Sequence, residues 1–142
     1  MGHTFSQLLT HVVFSTHGRR PSIRAAWRED LYAYMVGVAK GEFGRALRIG
    51  GTANHVHALL AIRPDVSVAH AMNRFKSLSS RWVHVTHPAE RAFAWQSGYS
   101  AFSVSRSRSS AVIAYIRDQE VHHRRRTFEE ELRELLKRHG VA

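Results

Sequence analysis

Two long segments of the chain repeat apolar residues with the period of a helix. The first runs from about residue 23 to 42, and the second from about residue 68 to 85. Ser67 stands where it can cap the second segment. The apolar positions of the first are Trp27, Leu31, Tyr34, Met35 and Val38. This spacing predicts two amphipathic helices, each with one face turned to a core.

Shorter segments between the helices have the composition of strands. They lie at residues 4–14, 47–49 and 55–62, and a fourth lies within 92–105. A turn at residues 50–54 joins the second and third into a hairpin. The resulting order, β-α-β-β-α-β, predicts an α+β fold of the ferredoxin-like kind, in which both helices cover one face of an antiparallel sheet. The other face is expected to be free for a site or a partner.

Two more helices are predicted after the sheet. Residues 105–110 form a short polar and basic linker, and a helix from about 111 to 121 follows it. Thr127 and Glu130 have the spacing of a capping box that opens a last amphipathic helix. We therefore expect one domain over residues 1–142, a ferredoxin-like βαββαβ sheet with two C-terminal helices.

The net charge of the chain indicates which class of partner it binds. Lys and Arg number 21 against 11 Asp and Glu, which gives a net charge of +10. Such an excess favours a polyanionic partner, nucleic acid before membrane. No stretch approaches the ~20 apolar residues of a membrane span, and there is no signal-peptide pattern. The absence of cysteine excludes disulfides, thiolate ligands and a thiol nucleophile, and fits the cytoplasm.

Candidate chemistry is concentrated in the third strand and in the helix after the linker. His55 and His57 share one face of the strand, because successive side chains alternate. Two neighbouring imidazoles supply half of a metal site, although chance pairs on strands are common. Tyr115 and Gln119 lie four residues apart, on one face of the helix. The amide could complete the metal site, and the phenol is a candidate nucleophile.

Together these motifs resemble the single-tyrosine HUH transposases of the smallest bacterial insertion sequences, the IS200-like family. The pair alone is weak evidence, but the set at these spacings is specific. The matching stretches are His11-Val12-Val13-Phe14, Asn54-His55-Val56-His57-Ala58-Leu59-Leu60, Phe75-Lys76-Ser77, Trp95-Gln96-Ser97-Gly98-Tyr99, Tyr115-Ile116-Arg117-Asp118-Gln119 and Phe128-Glu129-Glu130-Glu131-Leu132. They cover nearly the whole chain.

The resemblance implies strand transfer on single-stranded DNA. In that reaction Tyr115 attacks a phosphodiester, becomes linked to the 5′ phosphate and leaves a free 3′ hydroxyl. His55, His57 and Gln119 hold a divalent metal, Mg²⁺ or Mn²⁺, on the scissile phosphate. The implied partners are DNA with a hairpin and a second copy of the chain, a homodimer in which the tyrosine helix can act in trans. Family members often carry an acidic residue where this chain has Asn54.

Basic residues provide the expected contacts to DNA phosphates. The candidates are Arg74, Lys76, Arg81, Arg106, Arg108, Arg124, Arg125 and Arg126. For His122 and His123 the adjacent arginines favour a solvated or DNA-facing patch over metal ligands. For His11 a structural role is favoured over support of the site.

Two alternative functions remain open. A host-adopted nuclease that cuts palindromes without moving them would carry the same motifs. A non-enzymatic ferredoxin-like module could bind nucleic acid through exposed aromatic residues on its sheet. The second alternative leaves Tyr115, Gln119 and the histidine pair unexplained. Under the transposase hypothesis, the protein works in the bacterial cytoplasm at the nucleoid.

Overall fold

A computed structural model describes residues 2–141. The strands are β1 Leu9–Ser15, β2 Gly44–Gly51, β3 His55–Ile62 and β4 Ser100–Val104, and the helices are α1 Ala25–Glu42, α2 Val68–Thr86, α3 Ser109–Arg117, α4 Gln119–His122 and α5 Phe128–Arg138. All strand pairs are antiparallel, in the order β2-β3-β1-β4. This confirms the predicted ferredoxin-like sheet. None of the helices within residues 2–141 is long and apolar enough to cross a membrane.

The main core lies between the sheet and helices α1 and α2. Alternate residues of β1 and β3 point to this side, and they pack with the apolar stripes of both helices. The fully buried members include Val12, Val56, Ala58, Leu60, Leu31, Met35 and Phe75. Burying each large aliphatic or aromatic side chain contributes about 1.5–3 kcal/mol to folding. The two periodicities read from the sequence therefore identify most of this core, but in the first helix Tyr32 is buried and Tyr34 is exposed.

The opposite face of the sheet is also covered, so the expectation that it is free is wrong. Ile116 of α3 packs on this face with Leu9 and Leu59, and it has no solvent exposure. The α5 residues Phe128 and Leu135 form a second cluster there, with Val13 and Phe102 from the strands. The C-terminal helices thus form a second layer. Any polar side chains of β1 or β3 on this face lie beneath it.

Strand β1 is shorter than the sequence predicts, since it begins at Leu9 and not at residue 4. Leu9 lies opposite Ala61 on one side and Val104 on the other. Strand β3 ends one residue after Ala61, and β4 ends at Val104. A strand needs neighbours that accept and donate its ladder hydrogen bonds. Leu8 still accepts one hydrogen bond from the backbone N–H of Ile62, but residues 4–7 make no ladder hydrogen bonds in the described part of the chain.

Gly50 brings the tyrosine-bearing helix close to the sheet. A Cβ atom at this position would overlap the carbonyl oxygen of Ile116. We expect Gly50→Ala to displace α3 and to lower the free energy of unfolding by about 1–3 kcal/mol, measured by urea denaturation. Gly37 in α1 is the matched control, because a Cβ there meets nothing within 4 Å. Gly37→Ala should raise the free energy of unfolding by about 0.5–1 kcal/mol. If Gly50→Ala had the same free energy of unfolding as wild type, the close packing of α3 on Gly50 would be contradicted.

Candidate active site

Strand β3 presents both histidines of the pair to the face that the C-terminal helices cover. The two imidazole centroids lie 5.1 Å apart, and neither side chain is exposed to solvent. Phe128 of α5 stacks on His55 at 4.2 Å, which closes the site from that side. The structure therefore brings His55 and His57 together in the protein interior rather than on an exposed surface.

The helix predicted over residues 111–121 is interrupted, but its two residues with candidate chemistry, Tyr115 and Gln119, still lie in one site. Asp118, with φ −95° and ψ 21°, separates α3 from α4. Tyr115 lies in the last turns of α3 and Gln119 begins α4. Gln119 is fully buried, and its Oε1 atom lies 2.9 Å from Nε2 of His55. The amide thus reaches the histidine pair as expected.

The centre of the site is a carboxylate to which the sequence analysis assigned no role. Glu131 of α5 has no solvent exposure, and its Oε1 atom accepts a hydrogen bond from Nε2 of His57 at 2.9 Å. Its Oε2 atom accepts hydrogen bonds from the Tyr115 hydroxyl and, at 2.8 Å, from Nε2 of Gln119. Glu131 therefore connects the candidate nucleophile to the candidate metal ligands.

His123 also belongs to this cluster, so the expectation of a solvated or DNA-facing position is wrong for it. Its side chain is 12% exposed. Its Nε2 atom lies 3.0 Å from Oε1 of Glu131 and 3.1 Å from Oε1 of Gln119. His122 instead stacks on the ring of Tyr115, with centroids 4.9 Å apart. His123 thus contacts the carboxylate of Glu131, and His122 contacts the candidate nucleophile Tyr115.

The charges in the site follow from burial and these hydrogen bonds. Burial alone would raise the pKa of Glu131, but hydrogen bonds from His123, His55 and His57 hold it well below its ordinary value. Burial lowers the pKa of His57 to about 4, against the raising effect of Glu131. Burial, then Glu131, raises the pKa of Tyr115. The ionised carboxylate therefore accepts from a neutral His57, and the phenol keeps its proton.

Arg126 supplies a positive charge at the candidate nucleophile, Tyr115. One of its terminal nitrogens donates to the Tyr115 hydroxyl at 3.1 Å, and another pairs with Glu134. A guanidinium so placed can stabilise negative charge on the phenolic oxygen or on a phosphate beside it. Arg126 was predicted as a DNA contact, and its guanidinium contacts the candidate nucleophile.

Acid should destabilise the metal-free protein. Burial and the neighbouring His57 lower the pKa of His11 to about 3, and burial lowers that of His57 to about 4. An unfolded histidine titrates near 6.5, so below that pH the unfolded state binds more protons. Stability is complete above about pH 6.5 and should fall by roughly 1.4 kcal/mol per pH unit for each histidine. Urea midpoints in chelator at about pH 7 and pH 5.5 measure this, and equal midpoints would contradict it.

The donor set fits a divalent cation. One ligand atom each from His55, His57 and Glu131 lie within 4.8 Å of one another. The Gln119 amide oxygen lies beside them, 2.9 Å from His55. Imidazole nitrogens combined with carboxylate and amide oxygens suit Mn²⁺, and the oxygens also suit Mg²⁺.

Each histidine of the pair has a neutral partner on its second ring nitrogen. Nδ1 of His55 lies 2.8 Å from Oδ1 of Asn54 and 3.0 Å from Oγ1 of Thr52. Nδ1 of His57 lies 2.8 Å from Nε2 of His11. Asn54 therefore orients His55 through a neutral amide. The structural role favoured for His11 is incomplete, because the residue touches a site histidine.

The remaining DNA-contact candidates fall into two groups. Arg74 pairs with Glu42 at 2.8 Å, and Lys76 donates to backbone carbonyl oxygens of Gln96 and Gly98 at 2.6 and 2.7 Å. The exposed candidates are Arg81, Arg106, Arg108, Arg124 and Arg125. Among them, Arg108 lines a cavity of about 340 Å³ that Tyr115 and His11 also line. The first group supports the fold, and the second is accessible to a nucleic acid.

Comparison with known proteins identifies the family of the chain. The family model described as transposase IS200-like matches residues 4–119. A crystal structure of a candidate transposase from Deinococcus radiodurans r1 has a TM-score of 0.67 at 18% identity, covering 84% of this chain and 96% of that one. A REP-associated tyrosine transposase bound to a REP hairpin has a TM-score of 0.63 at 12% identity, covering 87% of this chain and 73% of that one. No curated protein matches. Because the family match spans most of its length, this chain belongs to the IS200-like transposase family.

Proposed function

We propose that this protein cleaves and rejoins single-stranded DNA at hairpin-bearing ends, through a phosphotyrosine on Tyr115 and with the help of a divalent metal. One observation carries the proposal. The Tyr115 hydroxyl and Nε2 of His57 both donate to the carboxylate of Glu131. A nucleophile and a metal-ligand set that meet at one buried group form one reaction centre rather than two unrelated features.

Tyr115 supplies the covalent chemistry of the proposal. Its oxygen bonds to phosphorus and loses its proton, and the 3′ oxygen of the cleaved strand leaves and gains one. The phenol proton already points at Glu131. A tyrosyl ester remains reactive, because a phenol with a pKa of about 10 leaves more readily than a sugar alkoxide. A 3′ hydroxyl can therefore attack it later, and rejoining needs no external energy source.

The buried ligands around Glu131 define where the cation would bind. His55 and His57 would hold it through their Nε2 atoms, together with oxygens of Gln119 and Glu131. When bound, the ion polarises the scissile phosphate and stabilises the leaving oxygen. The protein contributes the orientation of these ligands and the exclusion of bulk water by Phe128. Mg²⁺ or Mn²⁺ suits this donor set.

The exposed arginines are the proposed contacts to the DNA backbone. Arg106 and Arg108 precede the helix that carries Tyr115, and Arg124 and Arg125 follow it. Arg108 lines the cavity beside Tyr115, and exposed arginines of this kind neutralise DNA phosphates. The related fold that binds a REP hairpin supports a hairpin ligand. In the proposed homodimer, action of Tyr115 in trans would require Ile116 to leave its own Leu9 and Leu59 for the same pocket of a partner.

Cleavage of labelled DNA tests the proposed function. Oligonucleotides that tile the DNA flanking the gene, and versions with each hairpin stem unpaired, would be incubated with the protein and Mn²⁺ or chelator. The proposal predicts a denaturation-resistant adduct that carries a 3′-end label, because the 5′ phosphate of that fragment is bound to the protein. A 5′-end label should appear on a free fragment. Hairpin binding without any adduct would contradict the proposal.

The second candidate function is that of a palindrome-associated nuclease. It is supported by the related fold, which was solved in complex with a REP hairpin. Its chemistry at Tyr115 would be the same. The two candidates differ in the DNA around the gene. A mobile element is bounded by a hairpin near each end, whereas a host-adopted nuclease acts on palindromes dispersed through the chromosome. Mapping the cleaved oligonucleotides onto the genome distinguishes them.

A further inference from the structure

We infer that His11 is a positioning residue for the metal centre. Its hydrogen bond to Nδ1 of His57 allows Nε2 of His57 to change from a donor to Glu131 into a ligand of a divalent cation. The inference rests on the proposed function, since it concerns the metal site proposed there. It assigns a role to a buried histidine on a different strand, which contacts neither Glu131 nor Gln119 by a hydrogen bond in residues 2–141.

The strand register places His11 beside His57. His11 lies on β1 directly opposite Leu59 of β3, so its side chain shares the face that carries His57. Its Nε2 atom lies 2.8 Å from Nδ1 of His57, with ring centroids 5.0 Å apart. His11 is only 3% exposed. This is a built contact between two buried rings and not a surface coincidence.

The hydrogens in this contact must rearrange when a cation binds. His57 donates from Nε2 to Glu131 at 2.9 Å, so its neutral ring has a lone pair on Nδ1 and accepts from Nε2–H of His11. A ligand nitrogen must offer its lone pair to the cation. The hydrogen of His57 must then move to Nδ1 and donate to Nε2 of His11, whose own hydrogen moves to its Nδ1. Both rings stay neutral, and no net proton is taken up.

The partner of Nδ1 of His57 must donate a hydrogen bond when the metal is absent and accept one when the metal is bound. Only a side chain that can do both from the same atom position meets this requirement. A carboxylate or carbonyl only accepts, and it would fix the hydrogen on Nδ1 of His57. A lysine or arginine only donates, and it would fix the opposite form. His11 also lines the 340 Å³ cavity beside Tyr115, which gives water access for the exchange of hydrogens.

The other ligand histidine does not depend on His11. Nδ1 of His55 has its own partners, Oδ1 of Asn54 at 2.8 Å and Oγ1 of Thr52 at 3.0 Å. A change at His11 should therefore act on His57 alone. Removing such an outer partner commonly weakens metal affinity 10–100-fold, which is about the size of effect expected here.

Manganese titration followed by electron paramagnetic resonance tests the inference in the full-length protein. Wild type should bind one Mn²⁺, and His11→Phe should bind it about 10–100-fold more weakly, because phenyl fills the space without a nitrogen. His11→Gln should restore most of the affinity, since its rotatable amide can present either a donor or an acceptor near the Nε2 position. His139→Gln is the matched control, because His139 lines the same cavity but stacks on Phe102, and its affinity should be unchanged.

The position of the ring hydrogens gives a readout that a merely structural role would not change. In nitrogen-15 spectra, adding Mg²⁺ should move the hydrogen of His57 from Nε2 to Nδ1, and that of His11 from Nε2 to Nδ1. Folded His11→Phe with wild-type Mn²⁺ affinity would overturn the inference but not the metal centre. A wild type that binds no Mn²⁺ would overturn both. Should His11→Phe fail to fold, unchanged ring tautomers of the wild type on adding Mg²⁺ would overturn the inference.

Discussion

Tyr115→Phe should abolish the covalent protein–DNA adduct and lower DNA cleavage by more than about 10³-fold, the scale at which the loss of a nucleophile acts. The substitution removes the attacking oxygen and keeps the ring, so its contacts with His57 and His122 remain. The lost hydrogen bonds to Glu131 and Arg126 should change stability by only about 1 kcal/mol. Binding of hairpin DNA should persist, because the exposed arginines are untouched. Adduct yield on denaturing gels and binding by fluorescence anisotropy measure the two properties separately.

Tyr99→Phe is the matched control for the nucleophile. Tyr99 is exposed and lines a groove against helix α2, and within residues 2–141 it is not a hydrogen-bond partner of Glu131. It should form the adduct at the wild-type rate. An adduct that persists in Tyr115→Phe, or disappears in Tyr99→Phe, would contradict the assignment of Tyr115.

The second large effect is expected at the metal ligands. His57→Ala should lose Mn²⁺ binding and lower DNA cleavage by more than about 10²-fold. The substitution removes a metal ligand, and the carboxylate of Glu131 loses a hydrogen-bond donor. Hairpin binding should remain, since the proposed phosphate contacts lie outside this buried site. Cleavage, Mn²⁺ binding and hairpin binding would be measured on the same preparation.

A buried substitution needs a control for folding. His70→Ala, on exposed α2 surface, removes a histidine without touching the site and should behave as wild type. Gln119→Glu keeps an oxygen ligand at its position, so it should retain more Mn²⁺ affinity than His57→Ala. If His57→Ala stayed folded by circular dichroism but lost hairpin binding, the metal role of His57 would have to be replaced by a role in DNA recognition.

Local patterns were sufficient to predict the sheet and half of the site. The apolar periods gave the two helices of the main core, and the alternation rule placed His55 and His57 on one face. The four-residue spacing of Tyr115 and Gln119 survives the interruption at Asp118, because both still reach Glu131. These predictions depend on neighbours a few residues apart, and chain geometry determines such relations directly.

Glu131 was missed because its partner is 74 residues away, at His57. A local signal existed. Glu131 lies on the face of α5 that carries Phe128 and Leu135, so a charge interrupts an apolar stripe. A buried carboxylate needs partners, but the sequence does not say which face of the sheet α5 covers. The same limit applies to His11, because its contact depends on the register of β1 against β3.

The most direct test of the account is to identify the bond between protein and DNA. The adduct formed with Mn²⁺ would be digested with protease and nuclease and analysed by mass spectrometry. The account predicts one modified peptide, with Tyr115 joined to the 5′ phosphate of the downstream fragment, and none in chelator. A modification on another residue, a linkage to a 3′ phosphate, or an equal yield without metal would contradict it.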